Sequence, residues 1–302
     1  MSHLFQNTLA LLTTLGALAL PLTGFPSSAR AELLPRPSEI EALGDDESVY
    51  SEAREELPEN LYVLYRIVER IARANNLDRH PWRVVMADDS LINAYATEVN
   101  LIIVHYGLLD QMAGDVSALA CVVGHEMAHH TERHIAIRTS RSADWQEEYK
   151  RPDDRELQER LAELSRTHES DADAIGYTYS ATAGFDATGC LRGLEILSRL
   201  PGTLRDSSTH PAVPHRIEAI EMLMIEQPAD RLQDTGRSNL ENSDPLTYEM
   251  IEDQNWLRIN SERGGSFVED WNAIFPDATI APKPEEPEAE VDIDDVSESE
   301  VD

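Results

Sequence analysis

Basic side chains are scarce in this chain: 25 Lys and Arg face 57 Asp and Glu among 302 residues, a formal net charge of −32. That balance argues against a nucleic-acid partner, because phosphate contacts draw on a surplus of Lys and Arg and this surface repels polyanions. There are only two cysteines, Cys121 and Cys190, too few for a disulfide-rich scaffold or a four-cysteine zinc site. Past the first 31 residues no apolar run approaches the ~18 residues of a transmembrane helix, and no internal repeat marks a helical-repeat arm. The mature chain is therefore expected to lack a membrane span. What the sequence does have is ten histidines, the better place to look for metal.

The charge is unevenly spread. Residues 1–31 contain one charged side chain, Arg30, whereas residues 285–302 contain ten acidic ones and no basic one, so the remainder carries −23. Leu9 to Leu22, LALLTTLGALALPL, is uncharged and has the length of a signal-peptide apolar core; Ala29 and Ala31 supply the small residues of a cleavage site. Cleavage after Ala31 and a periplasmic location are the expectation, although the segment before Leu9 has His3 and no Lys or Arg.

The coarse organisation follows from patterning. Residues 32–57 read as a linker, with Pro, Glu and Asp prominent up to residue 50. Leu61, Val63, Leu64, Ile67, Val68, Ile71 and Ala72 recur at three and four and predict an amphipathic helix. Trp82 to Met86 is strand-like, and Asn93-Ala94-Tyr95-Ala96 with Leu101 to Val104 reads as a hairpin. Helices are expected around 116–138 and 155–183, and a shorter one carries Leu191, Leu194, Ile196 and Leu197. The expected fold class is α+β, mainly helical, with a main domain over 58–227. An extension over 228–281, bearing Trp256, Phe267, Trp271 and Phe275, packs on it. Residues 282–302 have too little apolar surface to offset the entropy of ordering and read as a disordered acidic tail.

His125-Glu126-Met127-Ala128-His129 carries the chemistry. On a helix, positions i and i+4 share a face, so both imidazoles can reach one zinc ion; Glu126, about 100° further round, can hold a water and take its proton. A hydrolytic zinc wants a third protein ligand. The metzincin pattern needs Gly at 132 and His at 135, where Glu132 and Ile135 stand. Glu169 is the better candidate, on a second helix that also places Asp173 on the same face one turn on, suited to orienting a ligand imidazole. The small Ala172 allows the two helices to approach.

Together these residues resemble the zinc peptidase family that contains the CAAX prenyl proteases, the HtpX heat-shock protease and the BepA-like periplasmic proteases. The resemblance rests on Asn93 to Ala96, on His125-Glu126 and His129 with Arg133-His134, and on Ser165-Arg166, Glu169 and Ala172-Asp173. Thr209-His210-Pro211 followed by Arg216-Ile217 completes it, so that roughly residues 58–225 are covered. It implies a gluzincin fold with a small hairpin or sheet beside two metal-binding helices, and one zinc per subunit on His125, His129 and Glu169. Glu126 would be the general base. Asn93, Ala94, Tyr95 and Ala96 would form the strand against which an extended substrate lies. His210 would help the oxyanion or close the metal's open position, and Arg216 would fix the segment bearing His210.

The polar stretch over residues 135–168 differs from the membrane-embedded relatives and points to the soluble periplasmic branch. Protein substrates of the envelope or outer membrane, unfolded or misassembled, are what the resemblance implies. A rival reading is an envelope chaperone or scaffold that keeps the zinc fold and cuts little. Cys121 and Cys190 are either a disulfide between neighbouring helices or two buried small apolar residues.

Overall fold

A computed structural model describes residues 37–97, 100–112, 114–149, 154–251 and 255–260. The expected signal segment and acidic tail, and Phe267, Trp271 and Phe275, lie outside the described residues.

At the centre is helix α3 (Glu59–Ala74), preceded by α1 (Pro37–Glu41), a 3-10 turn (Glu47–Tyr50) and α2 (Ser51–Glu56). The apolar stripe that predicts α3 is fully buried, but so are Arg66, Glu69, Arg70 and Arg73 on its other faces. Buried guanidinium groups need acidic or carbonyl partners. Arg66 meets Asp45 and Glu47, each at 2.7 Å, Arg70 also meets Asp45, and Arg73 meets Glu69 at 2.8 Å. Arg70 donates to the Ala183 carbonyl at 2.6 Å, and Arg73 to those of Leu240 and Ser243 at 2.9 Å each. Residues 37–57 are therefore not the linker their composition suggests. Their acids are partners of α3, which folds the segment onto the core.

The strands β1 (Trp82–Ala87), β2 (Ala94–Ala96), β3 (Leu101–His105), β4 (Tyr248–Ile251) and β5 (Trp256–Ile259) form one mixed sheet in the order β2-β3-β1-β5-β4. β1 and β3 run parallel, and the other neighbours are antiparallel. The expected hairpin is β2–β3, with Tyr95 opposite Ile103. β5 pairs with β1, Leu257 opposite Val84, so this part of the C-terminal extension completes the sheet. β2 is left at an open edge.

Between β3 and β4 come α4 (Tyr106–Met112), α5 (Val116–Thr131), α6 (His134–Tyr149), α7 (Arg155–Thr182), α8 (Gly189–Ser198), α9 (Val213–Glu226) and α10 (Ala229–Glu241). The architecture is α+β and mainly helical, as expected. Asp115 caps α5 through the Ala118 N–H at 2.9 Å, and Asp154 caps α7 through that of Glu156 at 2.9 Å. The helix expected over 116–138 is interrupted: Arg133 adopts the left-handed conformation, φ +58°, and ends α5 so that α6 leaves in a new direction. Cys121 on α5 and Cys190 on α8 are joined as a disulfide with Cα atoms 5.2 Å apart. Among the described residues no helix is long and apolar enough to cross a membrane.

Candidate metal centre

Helices α5 and α7 touch backbone to backbone at a glycine pair. A Cβ on Gly176 would lie 2.7 Å from the His125 nitrogen, and one on Gly124 would lie 3.0 Å from the Gly176 carbonyl oxygen. Ala172 is buried nearby, but the glycines, not it, set the approach. This contact brings Glu169, two turns before Gly176, over the face of α5 that bears His125 and His129.

Their donor atoms converge. His125 Nε2 and His129 Nε2 are 3.1 Å apart, and Glu169 carboxylate oxygens lie 3.3 Å from the first and 3.5 Å from the second. Tetrahedral zinc with bonds of about 2.0–2.1 Å has ligand-to-ligand edges of roughly 3.3 Å, and each of these distances, two of them to different Glu169 oxygens, is close to such an edge. Glu169 Oε2 is buried with the Nε2 atoms of His125 and His210 beside it, each at 3.3 Å, a carboxylate that a cation would compensate. Among the described residues these three form the one His/Cys/Asp/Glu group of metal-binding dimensions. The chemistry of the donors fits zinc.

Groups behind the ligands orient them. His125 Nδ1 is 3.0 Å from Asp173 Oδ1, and Arg216 binds the same carboxylate twice, at 2.6 and 2.7 Å. Arg216 therefore acts on Asp173, in addition to tethering the start of α9, which follows the segment bearing His210. His129 Nδ1 faces His134 Nδ1 at 3.1 Å, and His134 stacks on His168 with ring centroids 4.3 Å apart. With Nε2 on a metal, His129 would carry its proton on Nδ1, where the neutral His134 can accept it. Sequence reasoning left His134 and His168 without a role. The signal for His134 was its place one residue past the break in α5.

Electrostatics divide the two imidazoles. Burial opposes a charge on His125, but Asp173 and Glu169 hold its proton and push it up to about 10. Burial, reinforced by the charge on His125, lowers His129 to about 3. Burial works against the Glu169 carboxylate too, and the surrounding imidazoles overcome it, to about 2. Glu126 is raised to about 7, chiefly by burial and then by the Glu169 charge, with His125 and the Ala96 N–H opposing.

Glu126 reaches the edge strand: the Ala96 N–H donates to its Oε2 at 2.7 Å. Asn93 and Ala94 line the same cavity as His125, Glu126 and Glu169, while Tyr95, 38 % exposed, packs its ring 5.7 Å from that of His105. His210 is half-exposed at the rim, its Nε2 3.3 Å from Glu169 Oε2 and its Nδ1 2.7 Å from the Thr209 hydroxyl. The cavity wall also includes the Cys121–Cys190 bridge. Asn93, Ala94, Cys121, His125, Glu126, Glu169, Asp173, Cys190, His210 and Arg216 thus line one cavity, whereas His129 and Ala96 contact it through His125 and Glu126, and Tyr95 is not part of its lining.

The family model for Peptidase family M48 matches residues 60–146, which include His125, Glu126 and His129. The mitochondrial metalloendopeptidase OMA1 of Arabidopsis thaliana is 28% identical over 173 residues, 52% of this chain and 35% of that protein. The matched stretch thus spans about a third of the relative's length. Over residues 60–146, which bear the converging histidines, the chain is similar to metallopeptidases of the M48 type.

Proposed function

We propose that this protein is a zinc-dependent endopeptidase of the periplasm that cleaves extended segments of unfolded or misassembled envelope proteins. The observation carrying this reading is the pairing of the His125–His129–Glu169 triangle with a buried Glu126 beneath the open edge of β2. Zinc bound by these three residues supplies Lewis acidity toward the scissile carbonyl and a water.

The protein's own groups do the rest. An extended peptide adds to β2 through the outward backbone groups of Ala94, which fixes its direction across the cleft. Glu126 takes the proton of the attacking water and passes it to the leaving amine; burial gives it a basicity suited to both transfers. His210 supplies a rim donor to the developing oxyanion. Asp173 and His134 keep the two imidazoles turned so that Nε2 of each faces the centre.

A disulfide beside the cleft suits an oxidising compartment, in keeping with the signal-like Leu9 to Leu22. The function is tested by comparing new protein termini in envelope extracts given wild type, chelated wild type or Glu126→Gln. Termini that appear only with active wild type support the reading. Suppressed aggregation without new termini would favour the chaperone alternative, and retention of the protein in the cytoplasmic fraction would remove the periplasmic assignment.

A further inference from the structure

The cleft runs on from the metal centre into an apolar recess. Its inner wall is Leu108, Ala118, Val122 and the Cys121–Cys190 bridge, closed by α8 and by Ile220 of α9. Helix α8 presents Cys190, Gly193, Leu194 and Leu197 to it, a spacing of i, i+3, i+4 and i+7 that forms one face. The cavity as a whole measures about 100 Å³ and is lined by His125, Glu126 and Glu169 as well.

Resting on the peptidase reading above, we propose that this recess takes the side chain of a substrate residue flanking the scissile bond, that it selects an aliphatic side chain, and that Gly193 and Leu197 set the size it accepts.

Four observations argue for that occupant. The recess and the metal centre are one cavity, so a side chain entering it belongs to a residue beside the reacting carbonyl. Asn93 and Ala94 border it, and a peptide strand added to β2 directs alternate side chains to one side. Apart from Asn93, His210, Arg216, Asp173 and the metal-site residues, the lining offers aliphatic and sulfur surface, against which a charged side chain would be desolvated without a partner. The whole cavity, metal centre included, is about 100 Å³, below the roughly 150 Å³ that houses benzene in an engineered cavity, which favours an aliphatic group over an aromatic ring. Gly193 controls the width because a Cβ there has room: its nearest neighbours would be the Ala118 carbonyl oxygen at 3.7 Å, and Ala118 Cβ and Met112 Cε at 4.0 Å. Gly193→Ala is accommodated and narrows the recess; Leu197→Ala widens it.

The experiment uses the zinc-loaded full chain, a peptide library cleaved and sequenced at the new termini, and paired peptides differing only at the preferred flanking position. Wild type is expected to enrich Leu, Ile, Val or Met at one flanking position. Gly193→Ala is expected to lower the kcat/KM ratio of Leu over Ala peptides roughly tenfold, and Leu197→Ala to raise the ratio of Phe over Leu by a similar factor. Opposite shifts from two substitutions on one helix face are not produced by general loss of structure. Cleavage without flanking preference, or with preferences unmoved by both substitutions, overturns the recess as a specificity pocket while leaving the peptidase reading intact. Failure of wild type to cleave any peptide overturns both.

Discussion

The Ala96 N–H donates to Glu126 Oε2 at 2.7 Å, joining the open edge of the sheet to the proposed proton acceptor of the cleft. Ala96 lies opposite Ile102, between the ladder bonds that Thr97 and Asn93 make to β3, so its N–H faces away from the sheet. Proline is tolerated at such an outward edge position and removes only the donor. Ala96→Pro is expected to leave zinc content unchanged and to lower kcat about tenfold or more, because one oxygen of Glu126 loses its anchor. Steady-state kinetics beside metal analysis checks this; a wild-type kcat would mean that the contact does not position Glu126.

Zinc uptake is expected to release protons. In the metal-free site His125 is protonated, held at about 10 by Asp173 and Glu169, and a ligand imidazole must be neutral toward the metal. Affinity for zinc therefore rises with pH across the neutral range and falls as the medium is acidified. Competition with a chelator between pH 6 and pH 9 measures it, and a flat profile would contradict the protonated His125.

The Asp173–Arg216 pair has a consequence for acid stability. Burial alone would raise the Asp173 carboxyl, yet Arg216 and His125 hold it far below its ordinary range. A depressed carboxylate stabilises the fold above its unfolded pKa of about 3.9, and that contribution is lost as pH falls below this value toward the folded pKa. Asp173→Asn leaves Arg216 buried without its anion and is expected to cost about 3 kcal/mol at pH 7, with zinc affinity reduced ten- to a hundredfold. Urea unfolding at pH 7 and pH 3 should show the difference between wild type and variant shrinking at the lower pH.

Removing the bridge between α5 and α8 should loosen the same cleft from the other side. Cys121 and Cys190 are 69 residues apart, for which chain entropy sets a ceiling of about 4 kcal/mol. The double Cys→Ala variant is expected to lose 2–4 kcal/mol by denaturant unfolding. Identical stability with and without reductant in wild type would argue that the bridge adds nothing.

What could be read from the sequence is what helical periodicity alone dictates. His125 and His129, and Glu169 and Asp173, are spaced one turn apart, and that spacing implies a shared face whatever surrounds the helices. The meeting of the two helices is different, since it depends on Gly124 and Gly176, 52 positions apart, whose lack of side chains signals nothing until they are opposed. Likewise β5 is a short alternating run that becomes a strand by pairing with β1, and Asp45 and Glu47 look like linker acids until Arg66 and Arg70 stand beside them. His134 gained its place only through the turn at Arg133. Long-range pairing and backbone reversals, not local propensity, are what composition and spacing could not convey.

The central claim is that Glu126 moves the proton in a zinc-dependent peptide hydrolysis centred on His125, His129 and Glu169. The most direct measurement is zinc stoichiometry and cleavage of an unfolded protein by wild type and Glu126→Gln, each with and without chelator. One zinc per chain is expected in both proteins, with chelator-sensitive cleavage by wild type and a loss of about 10²- to 10⁴-fold in the variant. Equal cleavage by the two zinc-loaded proteins would contradict it.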